Sequence, residues 1–115
     1  SEPYHISQVA AEQLKNPTGR RVAIGTTTVR VLEHKIRTSL TGEIEAGEGN
    51  TDIFITPGFK FRATDALLTN FHMPKSTLLM LVCAFAGHDL VFEAYREALK
   101  RDYRFYSYGD CMLIE

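Results

Sequence analysis

The stretch ALLTNFHMPKSTLLML, residues 66–81, sets the tightest limit on what this chain can fold into. Residues 66–68 are apolar and short enough for a buried strand, whereas residues 76–86 are long enough for a helix. Pro74 suits a first helical turn, where its missing N–H would have had no partner and its fixed φ is already helical. The stretch therefore reads strand, polar loop, helix. The free N–H groups of a helix's first turn, with the helix dipole, attract phosphate or carboxylate, and Lys75 adds a formal charge at that place. Thr69, Asn70, His72, Lys75, Ser76 and Thr77 crowd into nine positions. The plainer alternative is that Asn70, Ser76 and Thr77 only cap and turn the backbone.

The same grammar occurs earlier. RRVAIG at 20–25 reads as a strand buried on both faces, and Thr26, Thr27 and Thr28 lead into a helix over 29–38. Gly25 permits close backbone approach, the hydroxyls cap or donate, and Arg30 lies one turn inside the helix. The turn lacks the further glycines of a dinucleotide fingerprint and the Gly-Lys pair of a phosphate-binding loop; a solvated helix residue is the plainer reading of Arg30. Strands alternating with helices predict an α/β fold with a mostly parallel sheet covered by helices. In such sheets the loops that follow strands gather at the carboxyl edge, where ligands bind. Two such loops on one edge favour a small ligand bearing a carboxylate or phosphate.

Elsewhere the pattern is less specific. Ser7 caps a helix over 8–15 with Val9, Ala10, Gln13 and Leu14 as its apolar stripe, and Asn16-Pro17-Thr18-Gly19 ends it. His5, just before this helix, reads as a surface residue. Residues 40–50, acidic and glycine-rich, read as an exposed loop; 51–56 as a strand; 59–62 as a half-buried extended arm. Asp89 caps a helix over 90–101 with Phe92, Tyr95, Ala98 and Leu99 facing the core. Residues 103–114 give an aromatic run, a Gly109-Asp110 break and a final buried strand. Those aromatics, interleaved with Lys100, Arg101 and Arg104, suit either base stacking or core packing.

With 44% hydrophobic and 23% charged residues, the 115-residue chain matches one ordinary globular domain rather than a disordered segment. The formal charge of −1 does not advertise nucleic-acid binding, so any RNA contact must come from local patches. No apolar run reaches the roughly eighteen residues of a membrane helix, and no membrane partner is expected. Cys83 and Cys111, widely separated and within apolar runs, read as buried reduced thiols rather than a disulfide or a metal site, which suits a reducing, cytoplasmic setting. The start at Ser-Glu without Met leads us to expect a processed or excised piece.

Four segments carry a resemblance: GTTTVRVLE at 25–33, TDIFITPGFKF at 51–61, DALLTNFHMPKSTLLMLVCAFAG at 65–87 and YRFYSYGDCMLI at 103–114. Together, in order and across essentially the whole chain, they resemble the C-terminal part of the S-adenosylmethionine:tRNA ribosyltransferase-isomerase family of queuosine biosynthesis. Small departures, such as Thr28 for Ser and Cys111 for Ala, remove no chemical group assigned to the site. The resemblance implies a larger α/β domain whose N-terminal part, with an inserted β-barrel, lies upstream.

It further implies transfer of the ribosyl part of S-adenosylmethionine to 7-aminomethyl-7-deazaguanine at the wobble position of tRNA, forming epoxyqueuosine and releasing adenine and methionine. S-adenosylmethionine is then a co-substrate, and no metal or recycled cofactor is expected. Such chemistry asks for a base near the sulfonium, an acid to assist adenine departure and a grip on the methionine carboxylate. The resemblance points to His72 as acid or base with Asp65 and Asp110 as reserve carboxylates, and to Lys75, Ser76 and Thr77 beside Asn70 for a carboxylate or phosphate. Thr26, Thr27 and Arg30 fall to a second anion or the nucleoside. A monomer is expected for the full-length protein. The piece alone is expected to be inactive, and two other readings stand: a ligand-binding module without chemistry, or a fragment that self-associates through an exposed apolar face.

Overall fold

The computed structural model of the chain describes residues 2–15, 19–71, 76–102 and 110–115. Among these, nine elements follow in order: β1 (Glu2–Ile6), α1 (Gln8–Lys15), β2 (Val22–Ile24), α2 (Thr26–Thr38), β3 (Gly47–Thr51), β4 (Ala66–Asn70), α3 (Thr77–Ala86), α4 (His88–Lys100) and β5 (Cys111–Ile114). The fold is mixed α/β with two sheets. In the three-stranded sheet β4 is central, parallel to β2 and antiparallel to β5, with Ala23 opposite Leu67 and Leu67 opposite Ile114. β1 and β3 form a separate antiparallel pair.

This differs from a mostly parallel sheet. The two strand–loop–helix units do give one parallel pair, but the last strand returns beside β4 from the opposite direction. The acidic, glycine-rich segment read as a loop supplies β3 at its end, because Gly47 to Thr51 zip onto the N-terminal strand. The strand expected over 51–56 is irregular beyond Thr51.

Successive strand residues face opposite sides, and among the described residues helices cover one side of the larger sheet. Ala23, Leu67, Met112 and Ile114 meet Val29 of α2, Leu79, Val82 and Cys83 of α3 and Val91, Tyr95 and Ala98 of α4. The other face leaves Val22 48%, Ile24 70% and Leu113 56% exposed. The expectation that β2 is buried on both faces, and β5 buried, therefore fails: among the described residues the helical cover lies on one side. Cys111 is exposed on that open side and only Cys83 is buried, both as free thiols. A second cluster ties α1 and α2 to the loops through Ile6, Ala11, Leu32, Ile36, Ile44 and Ala63.

Local signals explain the helix ends. Ser7 Oγ accepts from Ala10 N at 3.1 Å and Ser76 Oγ from Leu79 N at 3.1 Å, so both serines act as side-chain caps. α1 buries Ala11 rather than Val9. α4 starts at His88, with Asp89 in its first turn instead of capping it, and buries Val91, Tyr95 and Ala98 while Phe92 and Leu99 face outward. Gly87 makes this possible: at φ +94° it ends α3 and opens α4, which bend by 116°. No single helix among the described residues is long and apolar enough to cross a membrane.

Candidate functional site

The parallel pair sends β2 and β4 into their following loops on the same edge. Gly25 N–H donates to Leu68 O at 2.8 Å, which locks the end of β2 to β4. A hollow of about 340 Å³ opens there, lined by Gly25 and the first α2 residues Thr26 and Thr27, by Leu68 and Asn70 from β4, and by Cys111 from β5. Gly25 adopts φ +93°, a conformation other residues rarely take, and no side chain caps α2. The first-turn N–H groups of α2 thus lack intrahelical partners at the rim of the hollow.

The side chains around this rim have distinct duties. Thr28 Oγ1 donates to Ile24 O at 2.9 Å, within its own turn. Thr27 Oγ1 donates to Glu2 Oε2 at 3.0 Å. Arg30 forms an ion pair with Glu2 and donates through Nε to Ile53 O at 3.3 Å. A carboxylate from β1 therefore engages Thr27 and Arg30, the groups expected to hold an anion, and fastens the small sheet to α2. Thr26, only 6% exposed, lines the hollow, and neither its hydroxyl nor the Asn70 amide has a hydrogen-bond partner among the described residues.

The other expected residues do not all share this edge. Thr77 begins α3 and lines a small cleft of about 50 Å³ with Arg30, Phe54 and Leu81, which shares no lining residue with the hollow. Ser76 is engaged as the cap of α3. Asp110 immediately precedes Cys111, which pairs with Asn70, so its residue stands at the same edge. Asp65 does not: it precedes β4 at the far end, roughly 16 Å from Asn70 at about 3.3 Å per strand residue. Its Oδ2 accepts from Arg21 N at 2.7 Å, stitching the entry of β4 to that of β2. His72 and Lys75, like residues 16–18 and the aromatic run of 103–109, lie outside the described residues.

One acidic residue that no motif singles out, Glu33, is fully buried. Glu33 Oε1 accepts from Arg62 N at 2.8 Å, and Oε2 accepts from Ala63 N at 2.8 Å and Thr64 Oγ1 at 3.0 Å. It pins the segment leading into β4 against α2. The available signal was a lone acid among Val31, Leu32 and Ile36 on a helix with an apolar face. Burial raises the Cys83 thiol above its ordinary value of 9.0. Among the described residues no group of His, Cys, Asp and Glu is arranged to hold a metal ion.

Comparison with known proteins places this geometry. The S-adenosylmethionine:tRNA ribosyltransferase-isomerase of Citrifermentans bemidjiense is 56% identical over 116 residues, covering 98% of this chain and 33% of that protein. That of Symbiobacterium thermophilum is 57% identical over 117 residues, covering 99% and 34%. The crystal structure of the S-adenosylmethionine tRNA ribosyltransferase from Thermotoga maritima superposes with a TM-score of 0.89 at 53% identity, covering 98% of this chain and 40% of that one. The chain spans about a third of the length of the curated relatives it matches. The family model described as queuosine biosynthesis protein matches residues 1–114, and the chain belongs to that family.

Proposed function

We propose that this chain supplies part of the substrate-holding edge of an S-adenosylmethionine:tRNA ribosyltransferase-isomerase. The enzyme moves the ribosyl moiety of S-adenosylmethionine to 7-aminomethyl-7-deazaguanine at the wobble position of tRNA, forms epoxyqueuosine and releases adenine and methionine. The observation that carries this reading is the meeting of the GTTT and LTN segments around one hollow at the carboxyl edge of β2 and β4, in a chain whose relatives bear that enzyme's name. The hollow fits the adenosyl side of the co-substrate, with Thr26 and Asn70 as its polar contacts. Thr27 and Arg30 act one step removed, by holding Glu2 and the rim in place.

His72 is the candidate acid or base and Lys75 the candidate grip on the methionine carboxylate, carried between Phe71 and the α3 cap with Ser76 and Thr77. Asp110 is the reserve carboxylate at this edge. The reaction needs no metal or recycled cofactor in this reading, and the setting is cytoplasmic. With a third of the enzyme's length present, the piece alone is inactive. The test is adenine release from S-adenosylmethionine in the presence of precursor-bearing tRNA, using the Citrifermentans bemidjiense protein with changes matching His72→Ala and Lys75→Ala. We expect turnover to fall by about a hundredfold or more for the first, the scale of a lost acid–base group. Wild-type turnover in both variants would overturn these assignments.

A further inference from the structure

We propose that Glu2 is an internal stand-in for a ligand's anionic group: its carboxylate rests on Thr27 and Arg30, and a carboxylate or phosphate arriving from outside displaces it. In the structure Thr27 and Arg30 hold Glu2, and so stand one step back from any ligand; the hold is exchangeable. The exchange goes beyond the functional reading above, because it belongs to the free chain and is read by binding alone.

The donor set is the first support. One oxygen of Glu2 accepts from Thr27 Oγ1 at 3.0 Å and the other pairs with Arg30. A hydroxyl and a guanidinium converging on the two oxygens of one acid fit any carboxylate, and a phosphate equally. Secondly, the contact is not sealed. The Arg30 side chain is 22% exposed and that of Glu2 31%, so solvent screens the pair, and pairs of this kind hold weakly. The third support is what stays in place when Glu2 turns away. Arg30 also donates through Nε to Ile53 O at 3.3 Å, which keeps its guanidinium anchored. On the side of β1, Glu2 lies opposite the fully buried Thr51, and Ile6 is packed in the second cluster. Release therefore asks for rotation of one side chain and leaves the small sheet intact. Position gives the exchange its consequence. Thr27 lines the hollow and Arg30 the small cleft that it shares with Thr77, so the departure of Glu2 returns a hydroxyl to one recess and a cation to the other.

A site occupied by its own competitor binds an outside ligand with an affinity reduced by the fraction of molecules in which it is free. Removing the competitor tightens binding, whereas losing a merely structural ion pair loosens the rim. Calorimetric titration of the chain with inorganic phosphate and, separately, with methionine reads the difference, and the probe that binds tells phosphate from carboxylate. Glu2→Gln, which keeps the side-chain shape, should raise affinity for that probe by about fivefold, the scale of a partly exposed ion pair. Glu2→Ala should do the same, with thermal melting showing that each variant is folded. Adding Arg30→Gln to Glu2→Gln should abolish the gain. Glu48→Gln removes an exposed acid of the same small sheet, one paired with His5 at 3.6 Å, and should leave affinity unchanged. Unchanged or weaker binding in both Glu2 variants, a gain that survives Arg30→Gln, an equal gain from Glu48→Gln, or no saturable binding of either probe to the Glu2 variants would overturn the proposal. Adenine release by the full-length relative does not enter these titrations, so failure here and failure of the functional reading are told apart.

Discussion

Glu33 shows how much a single side chain decides here. Its two oxygens take three donors from residues 62–64, so a Gln of the same shape would aim an amide N–H at another donor. Glu33→Gln is therefore expected to destabilise by about 2–3 kcal/mol, close to the cost of leaving buried partners unsatisfied, read as a lower midpoint in urea unfolding. The sequence displayed this acid in plain view, yet nothing in GTTTVRVLE distinguishes a buried carboxylate from a wet one, because its partners lie some thirty residues downstream. Arg30 carries a partner the sequence did not announce: one turn into α2, it is held by Glu2 of β1.

Cys83 and Cys111 form a second contrast between similar-looking residues. Cys111 is exposed and Cys83 buried, with its thiol raised by desolvation. A thiol reagent at neutral pH should label Cys111 quickly and Cys83 only on unfolding. The linkage has a definite sign. A raised folded value means that the stability tied to the protonated Cys83 is fully present below the ordinary 9.0 and is lost as pH rises through the folded value. Cys83→Ala should flatten that alkaline decline in stability measured by urea unfolding.

Among the elements, local chemistry was legible wherever it was self-contained. Ser7 and Ser76 were readable as caps, because the bond that makes a cap closes within three residues. Ser76→Ala should cost about 1 kcal/mol in chemical denaturation. Asp89 carried the same signature, yet Gly87 bends the chain so that α4 begins two residues before the expected residue 90. The strand–loop–helix units were legible for the same reason as the caps. The pairing of β1 with β3, far apart in the chain, was not, because Gly47–Thr51 has almost no side-chain pattern to declare a strand.

For the molecule as a whole, the common edge of β2 and β4 followed from their alternation with helices, and the hollow appears there. What periodicity could not show is that, among the described residues, the apolar run of β2 meets helices on one side. Runs of this kind suit sheets covered on both faces, and this chain spans only a third of its relatives' length. Left alone at high concentration, the chain is expected to associate through Val22, Ile24 and Leu113. Val22→Lys with Leu113→Lys should lower the apparent mass in sedimentation, and an unchanged mass would remove this face from consideration.

β4 joins these scales, because its five residues run from the Asp65 stitch to the Asn70 rim. Substitutions along that strand should sort by address. Those near its foot should show up as lost folding with normal ligand affinity in the surviving molecules, and those at its tip as lost affinity in well-folded ones. A short mutational walk of this kind would separate architecture from chemistry, whichever step of the reaction the hollow serves.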